Sequence, residues 1–368
     1  MSGTDSRRID DGQGEIFPCP QCGADLVFLP GGDALVCLHC STRKEIVLDP
    51  EAEIVEQDFH ELLNQLKAQQ QAEHLPAEHQ EVRCDGCGAN VAFLGTLTST
   101  RCAYCGTPLQ RAKIHQGGTR IHVEAIIPFQ VHEEKARQIF RHWVTSRWFA
   151  PNRFKHAGDD GRFQGSYLPY WTFDAMTSSR YQGERGRHYY VTVGTGKNQS
   201  RQRRTSWTSV SGLVDRFFDD TLVLAAKGLP SELIDALPPW NLSQAVPFSP
   251  AFLAGIASRT YDVELEDGFG LAKLQMEAAI RNLCLREIGG DEQRVHQVRT
   301  HYDAITCKHL LLPIWILAYQ FHGQNYQVAI NAVTGKIAGN RPYSVWKISA
   351  AILCGLLIAL GAYLISQR

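Results

Sequence analysis

The sequence CPQCGADLVFL at residues 19–29 recurs with few changes as CDGCGANVAFL at residues 84–94. In each copy a second Cys-x-x-Cys pair follows after fourteen intervening residues. Each pair offers two thiolates from one tight turn, so two pairs supply the four ligands of a tetrahedral zinc site. The repeated spacing therefore predicts two N-terminal zinc ribbons that arose by duplication, each with one structural Zn²⁺. The predicted ligands are Cys19, Cys22, Cys37 and Cys40 in the first ribbon, and Cys84, Cys87, Cys102 and Cys105 in the second.

Other interpretations of the cysteines are less well supported. A thioredoxin-like redox pair needs a surrounding βαβ pattern, which the flanking sequence lacks. Four thiolates close the coordination sphere, which favours a structural metal, and iron fits such a site as well as zinc. The paired spacing also favours a reducing cytoplasm over disulfides. Cys284, Cys307 and Cys354 have no paired neighbour, and we expect them to be apolar packing residues.

The distribution of charge along the chain suggests different partners for its two ends. The net charge is −1 and hydrophobic residues make up 44%, which excludes a polybasic nucleic-acid coat and a disordered acidic tail. Residues 1–120 carry a net −7 and the rest carry +6. Thiolate ligation of two zinc ions would bring the N-terminal segment to about −11, whereas phosphate binding favours positive charge. The ribbons are therefore predicted to dock a protein rather than DNA.

The C-terminal sequence predicts a membrane anchor. Residues 348–365 form an uncharged run of 18 residues, and Ser349 is its only clearly polar member. As a helix this run would be about 27 Å long, close to a hydrocarbon core of about 30 Å. A buried C-terminal helix is the alternative, but the run has no polar stripe for a globular surface. Lys336, Arg341 and Lys347 precede the run, so the positive-inside rule predicts a single-pass, tail-anchored protein of the cytoplasmic (inner) membrane with its bulk in the cytoplasm.

Residues 120–345 contain a second apparent repeat. The sequence IPF at residues 127–129 is echoed by VPF at 246–248, and LPYW at 168–171 by LPIW at 312–315. Apolar periodicity predicts a helix after each Pro-Phe segment, the second over 271–287 and ending at Gly289–Gly290. Strands are predicted over 167–181, 189–193, 295–306, 310–321 and 326–331.

The predicted fold class is α+β: two N-terminal Cys₄ zinc ribbons, a two-repeat α+β body, and one C-terminal transmembrane helix. The predicted domains are zinc ribbon 1 at 1–48, an amphipathic helix and linker at 49–82, zinc ribbon 2 at 83–115, a duplicated α+β domain at 120–345, and the transmembrane helix at 346–366.

Several of these motifs together resemble a known family. They are the Cys-x-x-Cys-Gly-Ala ribbons, YLPYW at 167–171, LLLPIW at 310–315, and TGK at 334–336 leading to GNRPYS at 339–344. With them the chain resembles a bacterial family of membrane-anchored proteins with a transcription-factor-IIB-type zinc ribbon, often labelled "primosomal protein N prime (replication factor Y), superfamily II helicase". The resemblance implies no established reaction. Some members are similar to proteins encoded beside an SPFH (flotillin-like) protein and phage-shock protein A. The resemblance therefore implies recruitment to a stressed membrane, with these two proteins as the expected partners.

The residues argue against a helicase motor and against an enzyme. A P-loop needs Gly-x-x-x-x-Gly-Lys-Ser/Thr, but Gly196-Lys197 is followed by Asn198 and Gly335-Lys336 by Ile337. The sequence also lacks His-Glu-x-x-His and Gly-x-Ser-x-Gly, and we nominate no catalytic residue. The leading hypothesis is a non-enzymatic, tail-anchored adaptor that binds protein partners.

One basic stretch supports an alternative. Residues 180–204 carry a net +6 with three interleaved tyrosines. Beside a membrane, the counter-surface would be anionic lipid, while nucleic acid is the second candidate because tyrosines can stack on bases. A solvated basic hairpin is an equally good interpretation. The alternative function is therefore a membrane-tethered zinc-ribbon nucleic-acid-binding protein without a helicase motor. The basic residues are Arg180, Arg185, Arg187, Lys197, Arg201, Arg203 and Arg204.

Overall fold

The computed structural model has a mixed α+β fold. It describes residues 17–48, 51–71, 80–83, 90–92, 99–101, 108–110, 114–116, 121–147, 149, 151, 163–194, 199–258, 260–321, 324–340 and 344–366. Between 69 and 116 only the backbone is described.

The N-terminal part consists of short strands. A three-stranded antiparallel sheet, ordered β1-β2-β3, contains Leu26–Phe28, Ala34–Cys37 and Arg43–Glu45. Strand β4 (Gln57–Asp58) and helix α1 (Phe59–Gln71) follow. Within the predicted helix and linker segment at 49–82, the helix starts at Phe59, where the Asp58 carboxylate accepts the Glu61 backbone N–H at 2.8 Å and caps the first turn. The next strands are β5 (Gln80–Arg83), β6 (Asn90–Ala92), β7 (Ser99–Arg101), β8 (Pro108–Gln110) and β9 (Ile114–Gln116).

A nine-stranded sheet organises the rest of the described chain. Three strands are very long: β11 (Phe163–Val193), β12 (Ser200–Leu224) and β15 (Glu292–Phe321). Strand β11 lies between the other two and is antiparallel to both. The short members are β10 (Ala125–Ile126), β13 (Val246–Pro247), β14 (Ala257–Ser258), β16 (Gln324–Asn331), β17 (Ile337–Gly339) and β4. The helices are α2 (Glu133–Thr145), α3 (Ser231–Asp235), α4 (Leu265–Ile288) and α5 (Val345–Ser366).

The sheet bends at Asp174, where both neighbours of β11 change register. The pairing shifts between Phe173 and Ala175 on the β12 side and between Asp174 and Met176 on the β15 side. Asp220 and Ala304, in the bulged segments, have positive φ angles of 50° and 48°. We call the part of the three long strands beyond this bend the arm (175–193, 200–218 and 292–303), and the remainder of the sheet with its packed layers the body.

The body buries both faces of its sheet. On one face Phe129, Tyr167 and Trp315 pack with Phe140 of α2 and Phe28 of β1. On the other face, residues of the sheet pack against α3 and the chain that follows it; they include Leu168, Tyr170, Leu310, Leu312, Leu233 and Leu237. Two-sided burial explains why this part of the sequence is a nearly continuous apolar run.

The arm is covered on one face only. Helix α4 buries Ala272, Met276, Ile280, Cys284 and Ile288, spaced by four residues, against the sheet. Along β11 beyond the bend the buried residues Thr177, Ser179 and Tyr181 alternate with exposed ones. We call the side opposite α4 the open face. It presents Met176, Ser178, Arg180 and Gln182 of β11, Leu213, Asp215 and Phe217 of β12, and Arg299, His301 and Asp303 of β15.

Several predicted elements need correction. The strands predicted over 167–181 and 189–193 are one strand, β11, and those over 295–306 and 310–321 are one strand, β15. The prediction missed β12 entirely, and α4 starts at Leu265 rather than at Leu271. Cys284 and Cys307 are buried, as predicted.

The repeated motifs lie opposite each other in the sheet. Ile126, beside IPF, pairs with Val246 of VPF, and Leu168 of LPYW pairs with Leu312 of LPIW. A pseudo-twofold axis between two copies would produce such an arrangement. The duplication and the predicted domain boundaries stay predictions.

Candidate metal centre

Two similar turns bring the first four cysteines together. In the first turn Gly23, with φ of 74°, donates its N–H to the Cys19 carbonyl at 2.9 Å. In the second, Ser41 has φ of 60° and donates to the Cys37 carbonyl at 2.9 Å. The left-handed conformation lets the chain turn back so that both sulfurs of a pair point the same way.

The four sulfur atoms form a compact set. Cys19 Sγ lies 3.5 Å from Cys40 Sγ, and Cys22 Sγ lies 3.5 Å from Cys37 Sγ. All four lie within 4.8 Å of one another. Sulfurs on a tetrahedron with metal–sulfur bonds of about 2.3 Å are separated by about 3.8 Å. The first four cysteines therefore fit a tetrahedral metal ion.

The polar surroundings favour the thiolate form of one ligand. Thr42 Oγ1 lies 3.0 Å from Cys40 Sγ, and this hydrogen bond, with that of the Thr42 backbone, lowers the pKa of Cys40 to about 6. Metal ligation requires the deprotonated sulfur. With this pKa the Cys40 side chain is mostly thiolate at neutral pH, which is the form that ligates a cation.

The segment that carries the first four cysteines packs directly against the body. Phe28 packs edge-to-face on Phe252 at 5.4 Å, and its N–H donates to the Ala254 carbonyl at 2.8 Å. Cys19 and Cys37 are buried in the same cluster, at 3% and 1% exposure. Metal ligation by these cysteines would therefore stabilise the body core as well as the ribbon. Leu38, at 74% exposure, remains on the solvent side of the second turn.

The second predicted set, Cys84, Cys87, Cys102 and Cys105, lies outside the described residues. The strands around it follow the spacing of the first ribbon. Strand β3 begins three residues after Cys40, and β8 begins three residues after Cys105. A second metal site stays a prediction.

The C-terminal helix is long and apolar enough to cross a membrane. The apolar segment is Trp346–Ser366, and none of it is buried in the protein. Ser344 caps its start, because the Ile348 N–H donates to the Ser344 carbonyl at 3.1 Å. The Ser344 N–H in turn donates to the Phe149 carbonyl at 2.8 Å, which joins the helix to the segment after α2.

The basic stretch does not form one patch. Arg180 lies on the open face, while Arg185 donates from Nε to the Ile288 carbonyl and so caps the end of α4. Lys197 lies outside the described residues. The other four arginines lie towards the arm tip, about 80–95 Å of strand length from Phe163 at the opposite end of β11. They are Arg187, Arg201, Arg203 and Arg204.

At the arm tip, arginines and tyrosines lie side by side on both faces of a two-stranded hairpin. Tyr189 pairs with Arg204 and Tyr190 with Arg203, and the Arg201 guanidinium lies 4.6 Å from the centre of the Tyr190 ring. Tyr189 and Tyr190 are 45% and 56% exposed. The tip therefore offers aromatic surface together with positive charge.

A charge network at the bend was not predicted from the sequence. Lys308 Nζ lies 2.9 Å from a Glu56 carboxylate oxygen and 2.9 Å from a carboxylate oxygen of Asp220. The Lys308 side chain is only 12% exposed. Asp174 accepts the Asp220 N–H at 2.6 Å, and burial raises the pKa of its carboxyl to about 6.

Carboxylates of Asp174, Asp219 and Asp220 lie close enough to hold a cation, but the Lys308 ammonium already supplies positive charge there. Thr306 Oγ1 also donates to Glu56 at 2.9 Å. We therefore interpret the network as structural. It fastens the segment before α1 to the bend of the sheet.

Comparisons with known proteins give little more. The chain is 25% identical over 226 residues to "Uncharacterized protein YdjG" of Bacillus subtilis (strain 168). The match covers 61% of this chain and 65% of that protein, so it spans slightly less than two thirds of the relative's length. No family model matches the chain. No solved structure matches it.

Proposed function

We propose that this chain is a non-enzymatic, tail-anchored zinc-ribbon adaptor at the cytoplasmic face of the inner membrane. The arm is the observation that carries the proposal. It is a stiff extension about 60 Å long, three-stranded as far as Gly186 and two-stranded beyond it. Helix α4 packs on one face of the three-stranded part, and no described element covers the other face. A long arm joined through the body to a membrane helix suits a protein that holds a partner away from the bilayer.

The composition of the open face supports protein docking. Met176, Leu213 and Phe217 are about half exposed, at 47%, 58% and 54%, and Met176 pairs directly with Phe217. Contiguous exposed apolar groups among polar ones are typical of interaction surfaces. Arg180 and Arg299 face each other across β11 and β15, and like charges placed directly opposite destabilise a sheet. An acidic group from a partner would relieve that repulsion.

The remaining parts have supporting roles in this proposal. Zn²⁺ in the two Cys₄ sites would be structural, and the ribbons would contribute further docking surface through residues such as Leu38. An SPFH (flotillin-like) protein and a phage-shock-protein-A-like protein are the partners that the family resemblance implies. In the resembling family the helicase label would describe the ribbon and not a motor.

The docking role is tested by co-purification of full-length protein from gently solubilised, nuclease-treated membranes. An SPFH-type and a phage-shock-A-type protein from the same cell are the probes. Leu213→Glu/Phe217→Glu should abolish their recovery. The matched control is Leu274→Glu, which changes a 63% exposed leucine on α4 of the same arm and should retain them. Equal recovery with both variants would refute docking on the open face.

The anchor is tested separately by deleting residues 345–368. We expect the shortened protein in the soluble fraction, because no other described helix is long and apolar enough to span. If it stayed with the membranes after a high-salt wash, the single-anchor model would be wrong. The double variant Cys84→Ser/Cys87→Ser tests whether the second ribbon adds to partner recovery.

The arm tip favours one second candidate, a membrane-tethered nucleic-acid-binding protein. Exposed tyrosines beside arginines match the stacking and phosphate contacts that single strands use. Single-stranded DNA or RNA binding should then weaken steeply with salt, and Arg201→Ala/Arg203→Ala/Arg204→Ala should reduce the salt slope. Salt-insensitive or absent binding would remove this candidate.

A further inference from the structure

A groove lies between helix α2 and strand β17. Its volume is about 520 Å³, within the range of about 300–1,000 Å³ that is typical of small-molecule sites. Residues from successive turns of α2 line it, and Ile337 of β17 forms the opposite wall. The complete lining is Lys135, Gln138, Ile139, His142, Trp143, Ser146, Arg147 and Ile337.

The lining divides into an apolar floor and a cationic rim. Ile139, Trp143 and Ile337 provide the floor. Lys135 and Arg147 are exposed at opposite ends of the α2 stripe, with His142 between them. The lining residues include no carboxylate. The groove therefore combines apolar surface with positive charge that its own lining leaves uncompensated.

The groove lies next to the membrane helix. Arg147 is two residues before Phe149, whose carbonyl accepts the N–H of Ser344, the residue that caps α5. On the other wall, β17 ends at Gly339, six residues before α5 begins at Val345. Six residues span at most about 20 Å. Both walls of the groove are therefore held within a short distance of the point where the chain would enter the bilayer.

Exposed aromatic side chains fix the depth of that point. Trp346, in the first turn of α5, is 85% exposed, and Phe149 is 37% exposed. Tryptophan side chains prefer the membrane–water interface. With Trp346 at the interface, Arg147 and the adjoining end of the groove lie at the level of the lipid headgroups.

We propose that the groove binds the headgroup region of an anionic phospholipid. This inference rests on the proposed membrane anchor. The lipid phosphate lies at the end of the groove next to the membrane helix, against Arg147, whose guanidinium lies 5.7 Å from the centre of the Trp143 ring. Lys135, about 18 Å away along α2, adds positive charge to the rim. The glycerol and upper acyl carbons rest on Trp143 and Ile139. The site differs from the basic arm tip, which is at the far end of β11. Bound lipid would hold α2 against the bilayer and so set the direction of the arm.

The test uses the full-length chain in neutral detergent, with native mass spectrometry of bound lipid. Phosphatidylglycerol and phosphatidylcholine with the same acyl chains are the probes. Each well-placed basic residue is worth about fivefold in affinity for an anionic surface. We therefore expect wild type to prefer phosphatidylglycerol by at least about tenfold, and Lys135→Gln/Arg147→Gln to lose that preference.

Two controls keep the test specific. Arg180→Gln/Arg299→Gln removes the same charge from the arm and should keep the preference. The charge-conserving variant Lys135→Arg/Arg147→Lys should keep it as well, because a positive charge remains at both positions. An unchanged thermal unfolding midpoint of Lys135→Gln/Arg147→Gln shows that its loss of preference does not come from misfolding. Unchanged preference in the groove variant, or an equal loss in the arm variant, would overturn the proposal.

The outcomes also separate this site from other possibilities. If glycerol 3-phosphate in solution displaced the lipid completely, the groove would be a site for a soluble phosphate ligand, and the lipid proposal would be wrong. If the protein fractionated as soluble in cells, the anchor would fail while groove binding could still be measured in detergent. A membrane-bound protein without phosphatidylglycerol preference would refute the groove alone.

Discussion

The three long strands run through both the body and the arm, but the two regions differ in how much of the sheet is exposed to solvent. In the body, β11 and β15 are buried on both faces, and nearly every residue from Tyr167 to Ala175 is inaccessible. Past the bend, the same strand alternates between residues under α4 and residues in solvent. The transition falls where both neighbouring strands change register. A single strand can therefore serve as core in one region and as exposed surface in another, provided that its pairing changes where its environment does.

The largest difference in stability between the body and the arm should come from the candidate metal site of the first four cysteines. Cys37→Ser removes one of the four clustered cysteines, which is 1% exposed and lies in the hydrophobic core that joins β1 and β2 to the body. We expect one metal equivalent fewer per chain and a loss of at least about 3 kcal/mol, because structural zinc contributes several times that amount. Hydrogen exchange should rise in β1, β2 and residues 250–256 but not in the arm.

Elemental analysis and exchange mass spectrometry would check this prediction. Cys354→Ser is the control, because Cys354 is an exposed cysteine on α5. Full metal content in the Cys37 variant would contradict the assignment of the first site.

The next largest effect should come from the bend. Lys308→Met leaves Glu56 and Asp220 without their buried cation, which typically costs about 3–5 kcal/mol. Because the folded pKa of Asp174 is raised to about 6, its carboxyl binds more protons in the folded state, and stability falls as pH rises from about 4 to 6. Without Lys308 this fall should be steeper.

Urea unfolding at pH 5 and pH 7.5 measures the effect, which we expect to be larger at pH 7.5. Lys308→Arg keeps the charge and should retain most of the stability. The same loss at both pH values would mean that the carboxylates are not the cause.

A smaller change in stability is expected from alanine substitutions at two glycines of α4, and it should have opposite signs at Gly268 and Gly270. A Cβ on Gly268 would lie 2.7 Å from Trp171 Cδ1, and Trp171 is fully buried with its Nε1–H bonded to the Val263 carbonyl at 2.8 Å. Gly268→Ala should therefore cost about 1–3 kcal/mol. At Gly270 nothing lies within 4 Å, so Gly270→Ala should stabilise the helix by about 0.5–1 kcal/mol. Thermal unfolding of both variants, measured together, would show opposite shifts; shifts of the same sign would contradict this packing.

The smallest expected change in stability comes from removing one carboxyl group, and it should differ between Glu124 in the body and Glu184 in the arm. Burial raises the pKa of Glu124 in the body to about 7, although its carboxylate accepts the His309 N–H at 2.6 Å. Its folded state binds more protons between about pH 4.5 and 7, so stability decreases as pH rises through that window. Glu124→Gln should therefore be more stable than wild type by about 1–2 kcal/mol at pH 8 and nearly equal at pH 5.

Glu184 is the comparison in the arm. It lies 3.6 Å from Arg294 and 3.4 Å from His296 at the surface. Exposed pairs of this kind contribute about 0–1 kcal/mol, so Glu184→Gln should give no gain at pH 8. Denaturant unfolding midpoints of both variants at pH 5 and pH 8 check this prediction. Higher stability at pH 8 in Glu184→Gln but not in Glu124→Gln would contradict it.

Features that depend on a single type of residue could be predicted from the local sequence. The first cysteine cluster and the apolar C-terminal helix could be predicted because thiolate spacing and an uncharged run each have few structural solutions. The buried part of β11 was also recognisable from its apolar run. These features do not depend on distant parts of the chain.

The remaining features depend on contacts that are distant in sequence. Strand β12 was missed because its Ser, Thr and Arg residues lack an apolar alternation, and only pairing with β11 gives it a place in the sheet. The gap between the predicted strands at 167–181 and 189–193 contains Gly183, where a Cβ would lie 2.2 Å from the Arg294 carbonyl oxygen of β15. The bend network joins Glu56 to Lys308, two residues with no local signal connecting them.

The bulges at the bend also fix how the arm can vary in length. Because they set the register of β12 and β15 against β11, inserting a single residue in an arm strand would turn every side chain beyond it to the other face. Inserting two residues in each strand would keep α4 and the open face on their own sides and move the tip outward by about 7 Å. The arm can therefore be lengthened or shortened only in steps of two residues per strand. Such a change alters the distance between the tip and the body but leaves the packing of the body unchanged.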